Sequence, residues 1–295
     1  MSALVDLSND LARAVERIGP AVVAVSGRPH LASTGVHWAP GVVVTADHTL
    51  AREEEITVAT RDGRTIPATL AGRDPTTDLA VLRVDAAGLG VADRAAGEAR
   101  VGHLVLAVGH GPRVSWGVVS AVGFAGRGGA IDQLLRLDLT LYPGFSGGPL
   151  VDAEGRVLGI NTSGLSRQLR GALPTSLVAG VVDDLLARGH VSRGFLGVGL
   201  QPVLLPEGLR SAVAGAGEFG LIVVGCQPDG PAARAGLVLG DVLVALDGRP
   251  LREPDDVQTR VASRPVGSVL AATILRGGAP REVTLTVGER PARRR

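Results

Sequence analysis

Apolar residues recur along this chain at two periods, and the change between them divides it. From Ala21 to Leu150 they come as short runs rich in β-branched residues, "AVVAVS", "GVVVTA", "EITVAT", "LAVLRV", "HLVLAV" and "SWGVVSAV". A seventh, "RVLGIN", follows a little further on, and Gly, Pro or Asp punctuates the gaps. Many short strands at close spacing predict an antiparallel barrel or sandwich rather than a sheet alternating with helices. Ahead of them, Leu7, Leu11, Val15 and Ile18 fall on one helical face with Pro20 as the stop, which predicts a short docked helix over 1–20. Behind them, Val178, Val181, Leu185 and Leu186 in "SLVAGVVDDLLARGH" repeat near the helical period and close the β-rich part, expected to span 21–190.

From 191 to 290 the pattern is mixed. It predicts a strand near Gly220–Val224, a short helix near Pro231–Ala235, the strand "DVLVALDG", a helix near Asp255–Ala262, and the strands "SVLAATILR" and "REVTLTV". This is a compact α+β module of about a hundred residues, the size of one domain. The last residues, 291–295, read as a solvated basic tail. No internal repeat and no low-complexity linker stands out.

Composition narrows the picture. With 295 residues and 45% apolar content, the chain can supply two separate cores. Its 30 basic residues, all arginine, nearly cancel 29 acidic ones, so no strong field draws in nucleic acid or an anionic membrane. A single cysteine, Cys226, rules out an intramolecular disulfide and a four-cysteine zinc site; following "LIVVG", it is expected as a small buried side chain. The histidines are scattered, so no metal site and no cofactor are expected. The first twenty residues carry charges throughout and lack a long apolar core, which argues against a secretory signal or a membrane span. The resulting expectation is a cytoplasmic protein, with export the alternative if the true start lies elsewhere.

The candidate chemistry sits in "LYPGFSGGPLVD", residues 141–152, a turn that carries Ser146. A serine hydroxyl is a poor nucleophile near neutral pH; it needs a base, and the base needs a partner that fixes its tautomer. His48 ends the strand-like "GVVVTADH", where a side chain can be held rigidly, and Asp78 in "DPTTDLAVLRV" directly precedes an apolar strand. Alone, each reads as an ordinary turn residue. Together they follow the order His, Asp, Ser of the chymotrypsin type, which other serine hydrolase folds do not share.

At these residues the chain resembles a family, the trypsin-like serine proteases of the high-temperature-requirement (HtrA, or Deg) group. The resemblance is carried by "TADHTL", "EITVATRDGRTIPATLAGRDPTTDLAVLRVD", "AVGHGP", "GVVSAVG" and "PGFSGGPLVDAEGRVLGINT", and in the second module by "RGFLGVGL" and "GPAARAGLVLGDVLVALDGRPL". It implies a mainly β fold, a chymotrypsin-like double β-barrel followed by an α+β PDZ domain. By the same resemblance Ser146 attacks the scissile carbonyl, His48 is general base and then acid, and Asp78 orients the imidazole. The oxyanion is met by the backbone amides of Gly144 and Ser146, with Phe145 between them. Thr140 and Tyr142 fall in the stretch that lines the primary specificity pocket; no Asp is present there, so small or medium apolar residues are expected to fit. Phe195, Leu196, Gly197 and Val198 would offer amides to a peptide C-terminus, and a homotrimer is implied.

The function implied is a serine endopeptidase acting on unfolded or damaged proteins, with the PDZ domain binding substrate or regulatory C-terminal peptides. Phe145 is the plainest departure: digestive relatives carry Asp there, and HtrA members usually carry Asn. It keeps a second reading open, a catalytically impaired protease fold serving as a peptide-binding scaffold.

Overall fold

The computed structural model describes residues 2–290 except 30, 86–87, 112, 126–130, 166–170, 212, 214–216 and 263. The basic tail at 291–295 lies outside the described residues. The chain falls into two compact units, one running to Val191 and the other starting at Ser192.

In the first unit the β-rich runs form two closed antiparallel barrels. The first contains β1 (Val22–Ser26), β2 (Ser33–Ala39), β3 (Val42–Ala46), β4 (Ile56–Ala59), β5 (Thr65–Asp74) and β6 (Leu79–Val84), in the order β1-β2-β3-β6-β5-β4. The second contains β7 (Leu104–Gly109), β8 (Arg113–Ala125), β9 (Ile131–Asp138), β10 (Pro149–Val151), β11 (Val157–Thr162) and β12 (Gly171–Pro174), in the order β7-β8-β9-β12-β11-β10. The two orders are the same, a repeat of topology that the residues themselves do not display. Closure leaves no sheet edge open to pair with another chain. Valine and leucine side chains fill both barrels, Val23, Val25, Val43, Val58 and Leu82 in the first and Val105, Val119, Leu135 and Leu150 in the second, where the larger Phe145 joins them.

Two helices complete this unit. Helix α1 (Ala3–Ile18) buries Ala14 and Ile18 in a third cluster shared with both barrels, and its predicted face, Leu7, Leu11 and Val15, is half-buried. Helix α2 (Thr175–Arg188) buries Val178, Val181, Val182 and Leu185 in the same cluster. It ends at Gly189, whose φ of +75° lets its N–H return to Leu185 O, a conformation that favours glycine.

The second unit has a sheet of β14 (Val198–Leu204), β15 (Phe219–Cys226), β16 (Val242–Leu246), β18 (Val269–Arg276) and β19 (Ala279–Thr286) in that order. The short β17 (Arg249–Pro250) pairs with β16, and β13 (Gly194–Phe195) pairs with β20 (Gly288–Glu289). Helices α3 (Glu207–Arg210), α4 (Pro231–Arg234) and α5 (Pro254–Ala262) accompany them. Leu221, Leu243, Leu246, Val257, Val261, Leu270 and Ile274 belong to its core. Cys226 corrects the expectation made of it: it is half-buried, with Sγ 3.7 Å from Leu237 O, and burial pushes its thiol pKa up.

One buried charge anchors this unit. The Asp241 carboxylate is fully covered and receives both Nε and Nη2 of Arg276 at 2.7 Å, together with the Val238 N–H at 2.9 Å. The Arg276 hydrogen bonds hold Asp241 below the usual carboxylate range, so the stabilisation is present above pH ~4 and is lost as pH falls through the lowered folded value. Arg276→Ala is expected to destabilise this unit at neutral pH, because a buried carboxylate loses its counter-charge. Urea unfolding of wild type and variant should show the gap at pH 7 and its narrowing in acid.

Candidate active site

His48 is delivered by β3, whose five residues are all buried. The chain then makes a tight turn over Asp47–Thr49, braced on two sides. Arg73 pairs with the buried Asp47 carboxylate and donates to Leu50 O at 3.1 Å, and Thr49 Oγ1 donates to Ala46 O at 2.7 Å. Ala46 of β3 lies opposite Leu79 of β6, so the residues just outside that pair, His48 and Asp78, come together. Asp78 adopts φ +58°, and its buried side chain turns back toward the histidine.

Each Asp78 oxygen has a donor. Oδ1 accepts the His48 backbone N–H at 2.8 Å, Oδ2 accepts Thr162 Oγ1, and the two oxygens lie 2.9 and 2.8 Å from His48 Nδ1. An ionised carboxylate can only accept, so Nδ1 carries the proton and the Nε2 lone pair is left free to take one. The imidazole is 35% exposed and can reach a solvent-side reactant.

Ser146 lies in the loop between β9 and β10, where the backbone polar groups can be followed one by one. Gly144 O accepts Thr34 Oγ1 at 2.6 Å, Phe145 N–H donates to Tyr142 O at 3.0 Å, Phe145 O accepts Gly148 N–H at 3.0 Å, and Ser146 O accepts Thr34 N–H at 3.2 Å. Of the N–H groups from Gly144 to Gly148, those of Gly144 and Ser146 have no partner among the described residues. Gly144 takes φ +91° in this loop, a value that side chains disfavour. Gly147 is equally constrained, since a Cβ there would stand 2.2 Å from Thr34 O and 2.7 Å from Ala46 N.

Three successive residues that the sequence reading did not single out touch each of the three candidates in turn. Thr162 Oγ1 donates to Asp78, Ser163 Oγ lies 2.9 Å from Ser146 Oγ, and a Cβ on Gly164 would fall 2.4 Å from His48 Nδ1. Asp78, Ser146 and His48 are thus gathered around the end of β11. Among the described residues no hydrogen bond joins His48 to Ser146; the serine hydroxyl rests on Ser163 instead. The signal was present in "INTSG", two hydroxyls and a glycine, but such residues are ordinary in any turn.

Around this loop, Tyr142 is exposed and meets the Phe145 ring edge-on with centroids 5.6 Å apart, and Thr140 is exposed on the same approach. Arg113 Nη2 donates to His110 Nε2 at 2.8 Å. Burial first, and the Arg113 charge second, push the His110 pKa below its ordinary value, against the pull of Ala32 O, which lies 3.2 Å from the same nitrogen.

In the second unit Phe195, Leu196, Gly197 and Val198 join β13 to β14. The carbonyls of Leu196 and Gly197 face inward, accepting Ala232 N–H at 2.8 Å and Gln227 N–H at 2.7 Å, whereas the N–H groups of these two residues have no partner among the described residues. They border a groove of about 250 Å³ between the edge strand β14 and α5, lined further by Val257, Gln258 and Val261.

Comparison with known proteins agrees with this architecture. The family model described as a trypsin-like peptidase domain matches residues 33–160, and one described as a PDZ domain matches residues 222–276. The chain is 38% identical over 85% of its length to a probable periplasmic serine endoprotease DegP-like of Brucella suis, but spans only 51% of that relative. It is 32% identical to the serine endoprotease DegS of Escherichia coli, covering 95% of this chain and 86% of that one. The solved structure of the HtrA-type protease AlgW with decapeptide superposes with a TM-score of 0.79 at 32% identity, over 96% of this chain and 99% of the other.

The periplasmic naming of these relatives corrects the expectation of a cytoplasmic protein and points to an exported one. The first twenty residues were poor witnesses on that question, because they form α1, and their apolar face reports packing against the barrels rather than destination. Among the described residues no helix is long and apolar enough to cross a membrane. Two barrels of one topology, a PDZ-type unit, and a match covering 86% of DegS and 99% of the AlgW chain lead to one assignment: the chain belongs to the HtrA-type serine proteases, which join a trypsin-like peptidase domain to a PDZ domain.

Proposed function

We propose that this protein is a serine endopeptidase that hydrolyses peptide bonds of unfolded or damaged proteins, with Ser146 as nucleophile, His48 as general base and acid, and Asp78 as the group that orients His48. The observation that carries this reading is the convergence of all three on Thr162, Ser163 and Gly164. To react, Ser146 Oγ exchanges its Ser163 partner for His48 Nε2, gives up its proton there and bonds to the scissile carbonyl carbon. The carbonyl oxygen takes up the negative charge and is met by the Gly144 and Ser146 N–H groups. Collapse of that intermediate breaks the C–N bond, and His48 passes its proton to the departing amine. Water, deprotonated by His48, then releases the acyl group. Thr140 and Tyr142 border the site that takes the side chain before the cleaved bond, where small or medium apolar residues fit.

The specificity for unfolded chains follows from the shape of the substrate. A bond must lie extended across the loop at Ser146, which a folded protein does not offer. A C-terminal peptide adds to the β14 edge as a further strand, its carboxylate on the amides of Leu196 and Gly197. A reduced, alkylated protein should be cleaved at least about tenfold faster than its native form; equal rates on both would count against this substrate class. In fluorescence anisotropy, amidating the C-terminus of a bound peptide is expected to weaken binding at least about tenfold, because buried donors lose a charged acceptor. Binding indifferent to the amide would contradict the assignment of this loop.

A further inference from the structure

Phe145 stands between the two unpartnered amides, and its ring turns into the interior, with Tyr142 against its edge. It is 1% exposed and packs in the interior of the second barrel with Val105, Val119, Leu135 and Leu150. The socket is cut to the ring. A Cβ on Gly109 would lie 2.8 Å from both Cδ1 and Cε1 of Phe145, so only glycine leaves room at that end of β7. On the solvent side the Arg113 guanidinium lies 5.8 Å from the ring centroid, within the range of a cation–π contact, and is itself tethered to His110.

We propose that Phe145 is a positioning residue: burial of its ring in the second barrel fixes its Cα and the peptide unit that carries the Ser146 N–H, one of the two groups that receive the oxyanion. This rests on the hydrolytic reading above. The Phe145 carbonyl and the Ser146 N–H form one rigid peptide unit, so a shift of the ring turns that donor directly, whereas the Gly144 N–H belongs to the peptide unit before it. The polar ties of the loop, to Thr34, Tyr142 and Gly148, hold Gly144 O, the Phe145 N–H and Phe145 O, and the buried ring anchors the Cα between these two peptide units. A polar side chain in the same socket would be buried among aliphatic groups, at a cost unless it found a partner. The residue that departs most from the family pattern therefore sets its part of the loop by packing, without a charge.

Four variants of the full chain test this: Phe145→Ala, Phe145→Leu, Gly109→Ala, and Phe145→Leu combined with Gly109→Ala. Gly109→Ala displaces the ring without altering the loop, and the smaller leucine relieves the crowding. With a peptide substrate, Phe145→Ala is expected to lower kcat about 10- to 100-fold, less than the loss of an entire oxyanion donor, with KM changed less than about threefold. Affinity for a peptide boronate, which mimics the tetrahedral state, should fall in parallel, while affinity for the cleaved product peptide stays unchanged. Gly109→Ala should lower kcat in the same way, and adding Phe145→Leu should recover part of the loss. If Phe145→Ala does not fold, Phe145→Leu and Gly109→Ala decide the matter by the same readouts. A wild type that turns over while the folded variants keep kcat within about twofold, or lose boronate and product affinity equally, overturns the positioning role alone. A wild type without turnover overturns it together with the hydrolytic reading.

Discussion

Ser146→Ala is expected to lower peptide-bond hydrolysis by on the order of 10⁴- to 10⁶-fold while leaving the fold intact. The large effect follows from chemistry: without Oγ there is no acyl intermediate, and only bound water near His48 and the Gly144 and Ser146 amides can contribute. The absence of a structural effect follows from packing. Ser146 donates or accepts a single side-chain hydrogen bond, to Ser163, whose hydroxyl borders the open cleft and can turn to water. The backbone bonds that hold the loop, Ser146 O to Thr34 and Gly147 N–H to Asn161 O, do not involve the side chain. Initial rates on an unfolded protein, with thermal unfolding as the control, should show activity gone and the melting temperature unmoved. Retention of even a tenth of the wild-type rate would place the nucleophile elsewhere.

Asp78→Asn is expected to be nearly as damaging, on the order of 10⁴-fold in kcat, although the substituted atom is the size of the one it replaces. The carboxylate accepts from the His48 N–H, His48 Nδ1 and Thr162 Oγ1 at once. An asparagine offers only one oxygen to these donors, and its NH₂ must face one of them or induce the other imidazole tautomer. With the proton moved to Nε2, His48 can no longer take one from Ser146. The loss should appear in kcat with KM nearly unchanged, since Asp78 is buried and touches no substrate. A variant retaining most of its kcat would mean that the backbone and the tight turn at Asp47–Thr49 alone hold the imidazole.

Much of this site could be read from the sequence because its parts sit where strands end. His48 closes a run of buried β-branched residues, Asp78 opens another, and the pairing of Ala46 with Leu79 brings the two ends together. The strands themselves were visible where apolar and β-branched residues run together, as in β3 and β11, and obscure where Pro or Gly breaks the run. β5 contains Pro67 and alternates between exposed and buried positions, and β14 is mostly half-exposed and interrupted by Gly199 and Pro202. The contacts of Thr162, Ser163 and Thr34 were not legible, because a hydroxyl's partner is chosen by tertiary approach and not by spacing along the chain. The common strand order of the two barrels was hidden for a similar reason: many apolar sequences satisfy one topology.

Phe145 shows the limit most clearly. As a residue type it looked like damage to a polar site; only the interior of the second barrel, with Gly109 and Leu135 around the ring, gives its placement a physical reason. The scaffold reading drew its support from that residue, and loses it if the ring anchors the loop.

Hydrolysis by this chain requires Ser146 to be an activated nucleophile. Treating the full chain with a fluorophosphonate and mapping the adduct by peptide mass spectrometry should place a single modification on Ser146, absent from Ser146→Ala and strongly slowed in His48→Ala. No adduct on Ser146 in the folded wild type, with or without a peptide bound at the PDZ groove, or equal labelling after loss of His48, would contradict it.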